Sequence, residues 1–256
     1  MRRFAFIVTL LALGLTAGCS GDTPEAAPSP SASAAASAGV DPVTDASDAL
    51  AGLAALALDR RYAALYTWDV GDGRPRNVIA MVANDGTWRV DVPRGAQGGT
   101  SDVAIVRTAA GLHQCSLGIN ASCVLVAEKG DKVPAAYDPK VQRLFRQWLP
   151  AFTDRHEALA VSAVRPLEGA QGTCYSVDSV SASLDAPVDV GIYCYAADGL
   201  LTAARVNFGV LKFVKQVAAP ATVQLPGPVV SAAPLGMDAP PPPVVQPSVQ
   251  PSGLTG

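Results

Sequence analysis

Hydrophobic positions change their period several times along this chain, and each change predicts an element. Over 45–62, Leu50, Leu53, Leu56 and Leu58 sit among alanines, with Asp48, Asp59, Arg60 and Arg61 toward the ends. That spacing makes one apolar face at helical period, so a helix is predicted over 45–62. From 63 the period drops to two. Leu65-Tyr66-Thr67-Trp68 is β-prone, and Gly71-Asp72-Gly73 marks a turn. Segments 78–83 and 87–92 flank Asn84-Asp85-Gly86, a strong hairpin signal. Trp88, Val90 and Val92 alternate with Thr87, Arg89 and Asp91, so one face of this strand is buried and the other wet. Further strands are predicted over 103–108, 112–115 and 123–127.

The helical period returns at 138–149. Asp138 is placed to cap, Pro139 to take the first turn and Pro150 to end the helix. Val141, Leu144, Phe145, Trp148 and Leu149 form its apolar stripe, and Lys140, Arg143 and Arg146 its solvated face. A second short helix is predicted over 152–160. Alternation then resumes over 160–165, 172–177, 190–196, 200–206 and 210–217, with Asp198-Gly199 as a turn. Short turns between strands imply antiparallel pairing. Strands, then helices, then strands make the class α+β. A curved antiparallel sheet, a half-barrel with helices packed on its concave face, would satisfy every amphipathic face.

Both ends depart from this pattern. Residues 4–17 are uncharged and apolar behind Arg2 and Arg3. As a helix the run would reach about 21 Å, short of the ~30 Å of a bilayer's hydrocarbon core, so it suits a signal peptide. It ends in Leu15-Thr16-Ala17-Gly18-Cys19, which closely resembles the bacterial lipoprotein signal, with Thr16 where leucine is usual. Cleavage before Cys19 and lipidation of its sulfur (diacylglycerol and an acyl chain such as palmitate) would leave the protein outside the cytoplasm, anchored to the cell membrane. A plain secretory signal or a short membrane anchor are the alternatives. Of the 20 residues from 20 to 39, 17 are Ser, Ala, Pro or Gly, which cannot bury a core. Residues 226–256 hold nine prolines and one charged side chain, Asp238. The expected organisation is a signal peptide over 1–18, a lipidated cysteine and disordered linker over 19–40, one globular domain over 41–225 and a disordered Pro-rich tail over 226–256.

Net charge is −3 and the pI about 5.3, with no Lys/Arg run, which argues against nucleic acid as a partner. Apart from Cys19 the cysteines are Cys115, Cys123, Cys174 and Cys194. An even count in an exported domain reads as two disulfides. Three pairings are open, and proximity favours Cys115–Cys123 with Cys174–Cys194. There is no Cys-x2-Cys and there are only two histidines, so neither a metal nor any other cofactor is expected.

The element order, behind a lipoprotein-like signal and a Ser/Ala/Pro linker, resembles the LolA/LppX-like superfamily of bacterial envelope lipoproteins and lipoprotein carriers. The resemblance covers about 45–225 and rests on topology and context. Within it, Gly111-Leu112-His113-Gln114-Cys115 and Gly191-Ile192-Tyr193-Cys194-Tyr195-Ala196-Ala197-Asp198-Gly199 look most like envelope lipoproteins of high-GC Gram-positive bacteria. The resemblance implies a half-barrel whose helices plug an apolar cavity that holds acyl chains. A tether and two disulfides set this chain apart from the freely diffusing carriers.

No catalytic constellation assembles in the sequence. His156 has Asp154 and Glu157 nearby, but there is no Gly-x-Ser-x-Gly, and the glycines after Val92 precede no phosphate-cradling helix. The expectation is therefore a non-enzymatic protein that binds an apolar or amphipathic ligand. The alternative is a protein-interaction or sensor module with an envelope protein as partner. Tyr66, Trp68, Trp88, Phe145 and Trp148 are the candidate ligand-lining residues, or else ordinary core.

Overall fold

The computed structural model describes residues 42–179 and 186–240, with side chains from residue 46 onward. The expected signal peptide, Cys19, the linker and the last part of the expected tail lie outside the described residues. Helix α1 (Pro42–Asp59) opens the domain. Six strands follow: β1 (Tyr62–Asp69), β2 (Arg76–Val82), β3 (Trp88–Ala96), β4 (Ser101–Arg107), β5 (Leu112–Ser116) and β6 (Cys123–Ala127). A mostly irregular stretch then holds short 3-10 turns and α2 (Leu149–Thr153). Five more strands complete the domain: β7 (Leu159–Val164), β8 (Thr173–Ser179), β9 (Gly191–Tyr195), β10 (Leu201–Val206) and β11 (Gly209–Val217).

These strands form one antiparallel sheet in the order β6-β5-β4-β3-β2-β1-β11-β10-β9-β8-β7. It is two meanders joined where β1 pairs with β11. The sheet is open, with β6 and β7 as its end strands, as a half-barrel requires. The chain leaves the sheet at one end strand and re-enters at the other, so residues 128–158 must travel from edge to edge. That path lets the segment and α1 share the work of covering one face.

Alternation decides which face that is. On β1, Tyr62, Ala64, Tyr66 and Trp68 are buried while the residues between them are half-buried. Val78, Ala80 and Val82 on β2 and Trp88, Val90 and Val92 on β3 keep the same phase. They form one cluster with Leu50 and Ala54 of α1 and with Leu144, Phe145, Trp148, Leu149 and Phe152. Burying side chains of this size stabilises by about 1.5–3 kcal/mol each, which fixes the register of the sheet against its helical cover. The opposite phase builds two small clusters on the other face. One holds Ala104, Val106, Cys115 and Cys123; the other holds Cys174, Cys194 and Ala203. Each is centred on a disulfide, Cys115–Cys123 and Cys174–Cys194, between residues directly opposite on paired strands.

Several elements differ from the sequence-based expectation. The helix predicted over 138–149 is instead a 3-10 turn, Val141–Leu144, followed by α2. Lys140 adopts φ 65°, which a continuous α-helix does not permit. The Asp138 carboxylate is drawn inward, accepting Lys140 N–H at 2.7 Å, Gln142 Nε2–H at 2.5 Å and Arg143 Nε–H at 2.7 Å. Pro150 sits in the first turn of α2 rather than after a helix, which suits its missing N–H. The apolar stripe Val141, Leu144, Phe145, Trp148 and Leu149 is buried all the same. The second helix predicted over 152–160 is the end of α2, a turn, and the start of β7. Tyr62, expected to end α1, begins β1 opposite Val82.

The expected disorder from 226 does not hold for 226–240. Residues 218–240 form a strap that begins on the disulfide face. Pro220 O and Ala221 O accept the N–H groups of Asn84 and Asp85 at the β2–β3 turn. Val223 and Leu225 pack on the Cys115–Cys123 cluster. Cys123 N–H then donates to Pro228 O at 2.8 Å and Val230 N–H to Cys123 O at 2.9 Å, so the strap pairs with the outer edge of β6. Beyond it, Leu235 N–H donates to Gln114 Oε1, and Leu235 and Met237 pack on the helical side. The strap covers an edge strand that would otherwise offer unpaired backbone groups.

Candidate functional site

The five aromatic candidates all lie on the helix-covered face, but they do not surround one hollow. Tyr66 packs against Phe145 with centroids 5.0 Å apart and edge-on to Phe213 at 5.8 Å. Trp148 meets Phe208 at 6.1 Å and Tyr193 at 6.2 Å. Trp68 donates its indole N–H to Phe208 O at 3.3 Å and lies under the Arg76 guanidinium. Tyr66, Trp68 and Phe145 border none of the three hollows along the helical layer. Trp88 and Trp148 each border a different one. As a group the five behave as core.

The first hollow, about 280 Å³, opens between α1, α2 and β7. Leu50, Ala51, Phe152 and Val161 wall it, and the Arg155–Asp48 ion pair, at 2.9 Å, stands among its polar lining. The second and third, about 360 Å³ each, flank Lys132 and Gln147. The second is lined by apolar Leu58, Trp88 and Pro150 and by the cations Arg107, Lys132 and Arg146. Its geometry follows from strand register. Arg107 ends β4 directly opposite Trp88 on β3, so both side chains emerge on the helix-covered face. Lys132 comes from the turn after β6, and Arg146 from just after the 3-10 turn that begins at Val141.

The sequence pattern puts Arg146 on a solvated helix face; it is half-buried instead. Its Nη1–H donates to Leu58 O at 2.7 Å, at the C-terminal end of α1. Burial pushes its pKa down from the ordinary value, and the like charges of Arg61 and Arg107 push the same way. Among the described residues no carboxylate forms an ion pair with Arg107, Lys132 or Arg146. The signal for this hollow was present in the sequence. Val103, Ile105 and Arg107 share one phase of β4, so a guanidinium ends an otherwise apolar face.

The histidines stand apart. His156 is almost fully exposed and its Nδ1 lies 3.1 Å from Asp154 Oδ1, two residues away. His113 is nearly buried on β5, where desolvation lowers its pKa. Among the described residues neither ring has a hydroxyl or thiol hydrogen-bond partner. Among the same residues no group of three or more His, Cys, Asp or Glu could hold a metal ion, and no helix is long and apolar enough to cross a membrane.

No family model matches the chain, and no curated protein matches it. Among solved structures, a crystal structure of MucB is similar with a TM-score of 0.44 and 16% identity, over 76% of this chain. The match spans 66% of the MucB chain, just under two thirds of its length.

Proposed function

We propose that this protein is a non-enzymatic module of the bacterial cell envelope, lipid-anchored through Cys19, that binds an apolar or amphipathic ligand between its sheet and its helical cover. In this reading the cover closes the concave side of the half-barrel. The observation that carries it is the interrupted cover itself. Where the spacing predicts one long helix, a 3-10 turn and a five-residue α2 stand beside hollows of about 280 and 360 Å³, the first lined from the sheet by Leu159 and Val161 and the second by Trp88 and Arg107. Such volumes lie at the lower end of the range for small-molecule sites, about 300–1,000 Å³. Two disulfides suit an oxidising compartment outside the cytoplasm.

Mass spectrometry of gently purified, full-length protein tests the reading. A co-purifying lipid or other amphipath, displaced by denaturation, is the expected result. Protein that carries nothing and binds no short-chain acylglycerol overturns it. The anchor is tested separately: Cys19→Ala should abolish detergent-phase partitioning, and unchanged partitioning would exclude lipidation at that sulfur.

A second reading, an interaction module for an envelope protein, is favoured by β7. That end strand has β8 as its one strand partner among the described residues and leaves Ser162 and Ala163 exposed. A partner strand added there would be lost on placing proline at Ser162.

A further inference from the structure

The hollow between Leu58, Trp88 and Lys132 has a charge that the rest of the chain does not share. Its lining carries Arg107, Lys132 and Arg146 against Asp131, three cations to one anion, in a chain of net charge −3. Arg146 spends one N–H on Leu58 O. Arg107 and Lys132 spend none on any described protein acceptor, and among the described residues no carboxylate forms an ion pair with any of the three, although Asp59 lies near enough to Arg146 to favour its charge. Arg146 is half-buried, so its field is weakly screened, and Arg107 stands close enough to repel it. Arg107 and Arg146 are half-buried and Lys132 is exposed, so the three present charged donors to one hollow that an anion can reach. Trp88, Leu58 and Pro150 line the same hollow, Trp88 as the cross-strand neighbour of Arg107, and they offer a phosphate nothing but can cover methylenes.

We infer that this hollow takes the oxyanion head, of phosphate class, of an amphipathic molecule, with Arg107, Lys132 and Arg146 on the anion and Trp88 and Leu58 against the adjoining carbon chain. The forked donors of the two guanidiniums suit a phosphate's paired oxygens, and Lys132 adds a point charge from the rim. This rests on the ligand-binding reading above and assigns the chemistry of the head group.

Three probes and one variant test it on the full chain, with Trp fluorescence and calorimetry as readouts. The probes are inorganic phosphate, dihexanoyl phosphatidic acid and the neutral dihexanoylglycerol. The variant is Arg107→Gln with Lys132→Gln, which leaves the Arg146–Leu58 bond in place. We expect phosphatidic acid to bind most tightly, and the variant to lose about tenfold or more for both phosphate probes. Its affinity for dihexanoylglycerol should not change. Equal affinities of parent and variant for phosphatidic acid overturn the inference. If dihexanoylglycerol binds as tightly as phosphatidic acid, the anionic head is overturned while the ligand-binding reading survives. If inorganic phosphate binds, is lost in the variant and is matched by phosphatidic acid without gain, the anion site stands and the apolar part of the ligand reading fails. Lys132→Gln alone, in an exposed turn, repeats the comparison should the double variant melt early.

Discussion

Arg146 Nη1 donates to the carbonyl of Leu58 across 88 residues of chain, at 2.7 Å. The same carbonyl accepts Arg61 Nη1–H at 3.1 Å. Leu58 lies in the last turn of α1, whose carbonyls have no partner within the helix, so two cations complete the end of that helix. The bond also ties the edge-to-edge segment to α1, and with it one wall of the cationic hollow. Arg146→Ala should cost about 1–2 kcal/mol in chemical denaturation, the worth of a charged hydrogen bond less the relief of repulsion from Arg61 and Arg107. Arg146→Lys should recover part of that loss. An unchanged midpoint for Arg146→Ala would show that Arg61 alone suffices.

The two disulfides sit in separate clusters on the face away from the helices, so their contributions should be independent. With sequence separations of 8 and 20, each closes a loop worth roughly 3 kcal/mol in the chain-entropy model. Replacing either pair by serines should lower stability by about that amount. Replacing both should give the sum to within about 0.5 kcal/mol, as for distant sites that share no partner. Strong non-additivity in thermal or denaturant melts would mean that the two halves of the sheet communicate through that face.

What the sequence disclosed and what it hid divide along the range of the forces involved. Strand alternation is local, so the phase of Tyr66 and Trp68 or of Trp88, Val90 and Val92 is written in the order of the residues alone. The stripe Val141, Leu144, Phe145, Trp148 and Leu149 is likewise buried as its spacing implies, although the backbone beneath it is not one helix. There, side-chain bonds to Asp138 and the positive φ of Lys140 override a pattern that records only which residues face inward. The strap was hidden for a related reason. Its Pro-rich composition cannot build a core, but it can lie on one already built, using the free edge of β6. The cationic hollow combines residues from 107, 132 and 146, and only Arg107 breaks a local pattern.

At Gly227 the strap passes close against the backbone that leads into β6. A Cβ built there would stand 2.0 Å from Ala121 O, backbone that cannot move aside cheaply. Gly227→Val should lift the strap and expose the amides it satisfies. Hydrogen exchange should therefore accelerate at Cys123, which donates to Pro228 O, and at Gln97 and Gly98, which donate to Gly236 O and Met237 O. Amides of β8–β10, which the strap does not touch, should keep their protection. Uniform acceleration would mean that the strap supports the whole domain rather than one edge.

High pH should unfold this protein through its buried phenols. Tyr62, Tyr66, Tyr193 and Tyr195 all lie on the helix-covered face. Desolvation pushes Tyr62 from the ordinary value of 10.0 up to about 12, and raises Tyr66, Tyr193 and Tyr195 as well. Below pH 10 both folded and unfolded chains keep these phenols neutral, so their contribution is intact. Above it the unfolded chain releases protons that the folded chain holds, and stability falls as pH rises. By pH 11 Tyr62 alone should account for a loss of about 1.4 kcal/mol, and the other three add to it. Urea midpoints measured from pH 8 to 11.5 should therefore be level at first and then drop steeply. Tyr195→Phe should flatten the drop, and it should cost little at neutral pH because the Tyr195 hydroxyl is buried without a hydrogen-bond partner among the described residues. A level profile through pH 11.5 would show that water reaches these hydroxyls, and so that the helical cover opens readily in solution.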